Sequence, residues 1–87
     1  MTEKPMTPDE LIALRKSFAF TQTTMAGRLG MSYRAYSDLE TGKAQIRQVH
    51  AMAVECLAIR IAAETGELSR LPRTAIEVVA KLRTLNA

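Results

Sequence analysis

Apolar residues in this chain recur at intervals of three and four, and no stretch alternates convincingly with period two, so the pattern predicts helices and no strands. The first helix has a defined start. Thr7 stands as N-cap, Pro8 occupies the first helical position, Asp9 lies at the positive end, and Glu10 follows three residues after the cap. Leu11, Leu14 and Phe18 make its apolar stripe, with Arg15 and Lys16 off that stripe, and the helix is expected over residues 8–18. Thr21 caps a second helix, Gln22 to Leu29, whose narrow stripe of Met25, Ala26 and Leu29 stops at Gly30. Two residues later Ser32 caps a third helix, Tyr33 to Glu40, closed by Gly42. Two short helices joined by a tight turn result.

The fourth helix, residues 48–65, carries two apolar stripes when each residue is advanced by about 100°. One holds Val49, Met52, Cys56, Ile59 and Ala63; the other, roughly opposite, holds Ala51, Val54, Ala58, Ile61 and Ala62. Gln48 and Glu55 separate them on one side, His50, Arg60 and Glu64 on the other. Such a helix has to be covered twice, so one stripe is expected to meet the first three helices and the other a further element, either of its own subunit or of a second one. The natural candidate is a last helix over 72–85, following Gly66 and Pro72, capped by Thr74 with Glu77 three residues on, and carrying Ile76, Val79 and Leu82. The expected fold is all-α: a compact bundle of about five helices, one domain over residues 1–87.

Composition narrows the function classes. Eighty-seven residues suffice for one modest core, with about 60% of the unfolded surface buried. The hydrophobic fraction of 47% and charged fraction of 24% are those of a folded globular chain. A single cysteine, Cys56, excludes an internal disulfide and a Cys-rich zinc site, and with the lone His50 six residues away on a helix no metal site or nucleophilic dyad is expected. There is no Gly-rich phosphate loop and no close pair of candidate acids, so neither an enzyme nor a cofactor is expected. The opening MTEKPMTPDE lacks the basic start and apolar run of a signal peptide, and no run of about 18 apolar residues occurs, so a cytoplasmic protein without a membrane span is expected. The net charge of +3 is compatible with a polyanionic partner without specifying one.

The specific signal lies in TQTTMAGRLGMSYRAYSDLETGK, Thr21 to Lys43. Thr-Gln opens the first motif helix, Ala26 sits where two helices would touch, Leu29-Gly30 forms the turn, Ser32 caps again, and Leu39-Glu40-Thr41-Gly42-Lys43 closes the segment. In that order these features resemble the helix-turn-helix of the Cro/C1-type family, also called the xenobiotic-response-element family, over about Leu11 to Arg47. The resemblance implies a lambda-repressor-like DNA-binding domain, with the motif at 21–42 and the C-terminal helices serving core and dimerisation. It places Met25, Met31, Tyr36 and Leu39 in the core, and pairs Arg15 of the first helix with Glu40 at the end of the recognition helix.

It also implies a site. The recognition helix lies in the major groove with its N-terminal part toward base edges, and Tyr33, Arg34, Ser37 and Asp38 match the base-facing positions. Arg34 can fork onto guanine O6 and N7 or grip a phosphate. Tyr33 can meet a thymine methyl or stand as an exposed aromatic, and Asp38 can accept from cytosine N4 or orient Arg34 one turn earlier. Gln22, Ser32, Lys43 and Arg47 fall where the phosphate backbone is expected. Thr24 and Ala19 depart from the family pattern, Ala19 standing where many members have glycine, and Ala44 to Ile46 is less basic than in many members. A weaker phosphate grip would make dimerisation more important. The expected function is a homodimeric regulator, a repressor in the first instance, on a palindromic double-stranded operator. The alternative is a protein-interaction module, such as an antitoxin that binds a toxin and autoregulates its operon.

Overall fold

The computed structural model describes residues 6–67, 76–77 and 80–82. Four helices follow one another: α1 (Pro8–Ser17), α2 (Gln22–Leu29), α3 (Tyr33–Thr41) and α4 (Gln48–Thr65). Residues 76–77 and 80–82 are helical as well, and the rest of the expected 72–85 helix, Thr74, Val79 and Leu85 included, lies outside the described residues.

The local chemistry sets the boundaries. Thr7 Oγ1 accepts from the Glu10 amide at 3.2 Å while the Thr7 amide donates back to Glu10 Oε1 at 3.1 Å, a reciprocal cap that satisfies two otherwise orphaned donors. Thr21 and Ser32 cap α2 and α3 by accepting from the amides of Thr24 and Ala35, each at 3.1 Å. Gly30 ends α2 with φ of 72°, and the amide of Met31 then reaches the Ala26 carbonyl at 2.9 Å, which turns the chain into α3 within three residues. At α4 the cap is of another kind: the Arg47 amide donates to His50 Nδ1 at 2.9 Å, which gives the one histidine a structural task.

The core gathers Leu11 and Phe18 from α1, Met25 and Ala26 from α2, Tyr36 and Leu39 from α3, Ile46 from the following loop, and one face of α4. Removing each large side chain from water is worth about 1.5 to 3 kcal/mol before entropy is counted. Ala26 is buried in α2, and α3 packs against both α1 and α2. Met31 and Leu14, expected inside, are only partly covered at the edge of this core.

On α4 the stripe of Val54, Ala58, Ile61 and Ala62 is buried, together with Leu57, which belongs to it although the helical wheel did not assign it there. The opposite stripe is not covered among the described residues: Val49 is 65% and Met52 62% exposed, Cys56 is exposed, and so are Ile76 and Leu82 of the last segment. The expectation that the last helix covers this face, in its own subunit or in a second one, falls for the most part outside the described residues.

Ala19 occupies the left-handed region with φ of 59°, at the position where a glycine was noted as missing. A side chain at that φ costs about 1 kcal/mol. Conversely, Gly27 sits within α2 with nothing near the place of a Cβ, and there a glycine costs about 0.5–1 kcal/mol relative to alanine. Ala19→Gly and Gly27→Ala should each raise the unfolding free energy measured by urea titration, by about 1 kcal/mol or slightly less, and add when combined. A drop in stability for Ala19→Gly would show that the turn is not strained.

Candidate nucleic-acid interface

The position of α3 is governed by one carboxylate. Glu40, whose side chain is 3% exposed, receives Arg15 Nε on Oε2 at 2.7 Å and Arg15 Nη2 on Oε1 at 3.2 Å. Gln22 Nε2 donates to Oε1 at 2.8 Å, and the buried Tyr36 hydroxyl donates to Oε2. The third arm of Arg15, Nη1, donates to the Phe20 carbonyl at 3.0 Å, so the same guanidinium braces the loop between α1 and α2. A planar fork meeting a carboxylate with two nitrogens fixes orientation as well as distance.

Burial alone would raise the Glu40 carboxyl, but the hydrogen bonds from Arg15, Tyr36 and Gln22, with the Arg15 charge, outweigh it and hold the group below its usual value. Burial first, and then the bond to Glu40, push the Tyr36 hydroxyl well above the ordinary phenol. The hydrogen bond with Glu40 raises Arg15 in turn.

The chain of contacts continues outward. Gln22 turns its amide oxygen to the Tyr33 hydroxyl, which donates at 3.1 Å. Tyr33 is half exposed at the start of α3, so a buried ion pair is wired through α2 to the first residue of the exposed side of α3.

There Tyr33, Arg34, Ser37, Asp38 and Lys43 line one polar concavity. The four side chains expected at base edges thus lie together with Lys43, one of those expected at the backbone. Arg34 and Lys43 are exposed, Ser37 and Asp38 half-buried. Among the described residues Arg34 and Asp38 form no ion pair with each other, so the guanidinium is not pre-oriented by that carboxylate. Three other residues expected at the backbone are placed differently. Ser32 spends its oxygen lone pair on the α3 cap, Gln22 links Glu40 to Tyr33, and Arg47 stands at the start of α4, outside the concavity.

Sequence reasoning found the Arg15–Glu40 pair but not its continuation to Tyr33, and it had no signal for Arg28. That residue sits 5.6 Å from the centre of the Phe20 ring and bonds Glu64 Oε1 at 3.0 Å, joining α2 to the far end of α4. Both partners are exposed, so the pair adds little to stability.

A two-helix unit with these caps, this glycine turn and an exposed polar face on its second helix is a helix-turn-helix. The helix-turn-helix family model matches residues 11–57, more than half of the chain, and the protein belongs to the Cro/C1-type helix-turn-helix family of DNA-binding transcription regulators. This is a DNA-binding and not an enzyme family. Comparison with curated proteins and with solved structures gave no match. Among the described residues no helix is long and apolar enough to cross a membrane, and no cluster of residues is suited to hold a metal ion.

Glu40→Gln should cost about 3 kcal/mol at neutral pH, the low end for breaking a buried pair because Arg15 keeps some access to water at 13% exposure. With a folded value below the unfolded one, Glu40 contributes fully above about pH 4.3, and that contribution is lost as pH falls through the lower folded value. Urea titrations of wild type and Glu40→Gln between neutral pH and pH 3 should therefore converge as the solution is acidified. A difference that stays constant with pH would show that Glu40 carries no such linkage.

Proposed function

We propose that the protein is a homodimeric repressor that reads an inverted-repeat operator with α3 in the major groove. The observation that carries this reading is the gathering of Tyr33, Arg34, Ser37, Asp38 and Lys43 on one exposed polar surface of a helix whose other side is locked into the core. A recognition helix needs that division, because base discrimination depends on side chains held at fixed positions over the groove.

In this reading Arg34 forks onto a guanine O6 and N7 and supplies most of the base preference. Tyr33, oriented by Gln22, presents its ring edge to the neighbouring step. Asp38 accepts from a cytosine N4 and disfavours phosphate at that point, which helps to set the register. Lys43 grips the phosphate backbone, with Arg47, Ser32 and the amide of Gln22 as further backbone contacts. These supply affinity, and with so few cations one domain holds DNA weakly. Two domains related by a two-fold axis read twice as many base pairs and match a palindrome. Occupancy of a site overlapping a promoter excludes polymerase and needs no further residue, which is why repression is the simplest outcome.

Selection of bound duplexes from a random pool tests the reading. An inverted repeat containing a guanine at equivalent positions of both halves should emerge, and Arg34→Ala should weaken preference for that guanine by about 1 to 3 kcal/mol per half-site while leaving helicity unchanged. Recovery of sequences without any shared element, or an Arg34→Ala protein with the same preference, would contradict it.

A further inference from the structure

Behind α3 the core is not closed. A cavity of about 240 Å³ lies where α1, the end of α2, the end of α3, the connection after it and the first turns of α4 meet. Leu11, Leu39 and Val54, almost wholly withdrawn from solvent, form its inner wall, and Val49 and Ala53, both exposed, border it toward the surface. Empty apolar space lowers stability in proportion to its volume. An alanine at position 53 leaves open what a larger side chain would close.

The walls hold one polar side chain, that of the half-buried His50. Its Nδ1 accepts from the Arg47 amide at 2.9 Å, which fixes the neutral ring in the tautomer whose proton sits on Nε2. Nε2 is therefore a donor without a protein partner among the described residues. Water is a poor occupant, since a buried water takes about two to four hydrogen bonds and this wall offers one side-chain donor. No charged side chain lines the cavity, so an ion would be left without compensation.

We propose that the cavity binds a small neutral organic molecule, mostly apolar and carrying one hydrogen-bond acceptor. The acceptor takes the Nε2–H of His50, and the apolar part lies against Leu11, Leu39 and Val54. An apolar cavity of about 150 Å³ is enough for benzene, so this one suits a single ring with a short substituent, on the order of ten non-hydrogen atoms, and is too small for a drug-sized ligand. An aryl ketone has that size and that single acceptor. A carboxylate of the same size would strand its charge among apolar walls.

Leu39 belongs to α3 and Met31 to the turn before it, and both border the cavity, so an occupant rests on residues that seat α3. Ligand and DNA then favour the same placement of α3, and each strengthens binding of the other. This consequence rests on the function proposed above; the site itself does not.

Titration of the methyl-labelled full chain with acetophenone tests the site. The methyl signals of Leu11, Leu39 and Val54 should shift saturably and show nuclear Overhauser contacts to the aromatic protons, and benzoate at neutral pH should cause neither. Ala53→Trp, at an exposed position where folding is not at stake, should weaken acetophenone binding by more than about 10-fold with an unchanged helical circular-dichroism spectrum. His50→Glu keeps an acceptor for the Arg47 amide, as the glutamate of a capping box does, and removes the donor. It should weaken acetophenone by about 2- to 10-fold and leave isopropylbenzene, of the same size but without an acceptor, unaffected. No saturable shifts, equal shifts with benzoate, or shifts centred on Met52 and indifferent to Ala53→Trp would overturn the site. Equal losses of both ligands in His50→Glu would overturn the role of Nε2. Acetophenone should also tighten binding of the selected duplex; cavity shifts with unchanged duplex affinity would overturn the link to α3, whereas failure to select any duplex would count against the function proposed above and not against the site.

Discussion

The buried carboxylate of Glu40 is the constraint on which the rest of the structure depends. Charged groups are costly inside a domain this small, and Glu40 is tolerable there only because Arg15, Tyr36 and Gln22 together satisfy both of its oxygens. Those three residues come from three different helices, so satisfying the charge fixes the angles of α1, α2 and α3 relative to one another. Apolar packing of Leu11, Met25 and Leu39 brings the same helices together but tolerates some sliding. A guanidinium fork does not, since a small rotation of α3 would break both of its bonds at once.

From this follows the division of labour on α3. Tyr36, Leu39 and Glu40 face inward, and Tyr33, Arg34 and Ser37 with Asp38 lie toward the polar concavity. The link from Glu40 through Gln22 to the Tyr33 hydroxyl carries the rigidity of the core to the first residue of the exposed side. Gln22 thereby acquires a second role: its side chain is engaged at both ends within the protein, and any contribution at the DNA backbone has to come from the remaining amide hydrogen or from the helix N-terminus itself.

Much of this was legible in the sequence because short-range chemistry dictated it. Thr7, Thr21 and Ser32 announced three helix starts, Gly30 announced the turn, and the boundaries of α4 were readable to the residue. The inward placement of Met25, Tyr36 and Leu39 and the Arg15–Glu40 pairing came from the resemblance to the family and not from spacing. Illegible were contacts between residues far apart in the chain with no periodicity to mark them, such as Arg28 with Glu64, and the second use of a residue already assigned, such as Gln22. Leu57 escaped because the apolar face of α4 is so continuous that a wheel draws its edges arbitrarily. What covers the other face of α4 lies outside the described residues.

In the proposed function DNA meets the α3 concavity together with the start of α2 and the backbone-facing residues beside it, Ser32 and Arg47. Titrating the isotopically labelled protein with a short duplex of mixed sequence, and following backbone amide shifts, tests this most directly. The account predicts that the shifts concentrate at Tyr33, Arg34, Ser37, Asp38 and Lys43 and at the start of α2, with salt reversing them. Shifts centred on α1 or on the exposed stripe of α4, with α3 unchanged, would contradict it.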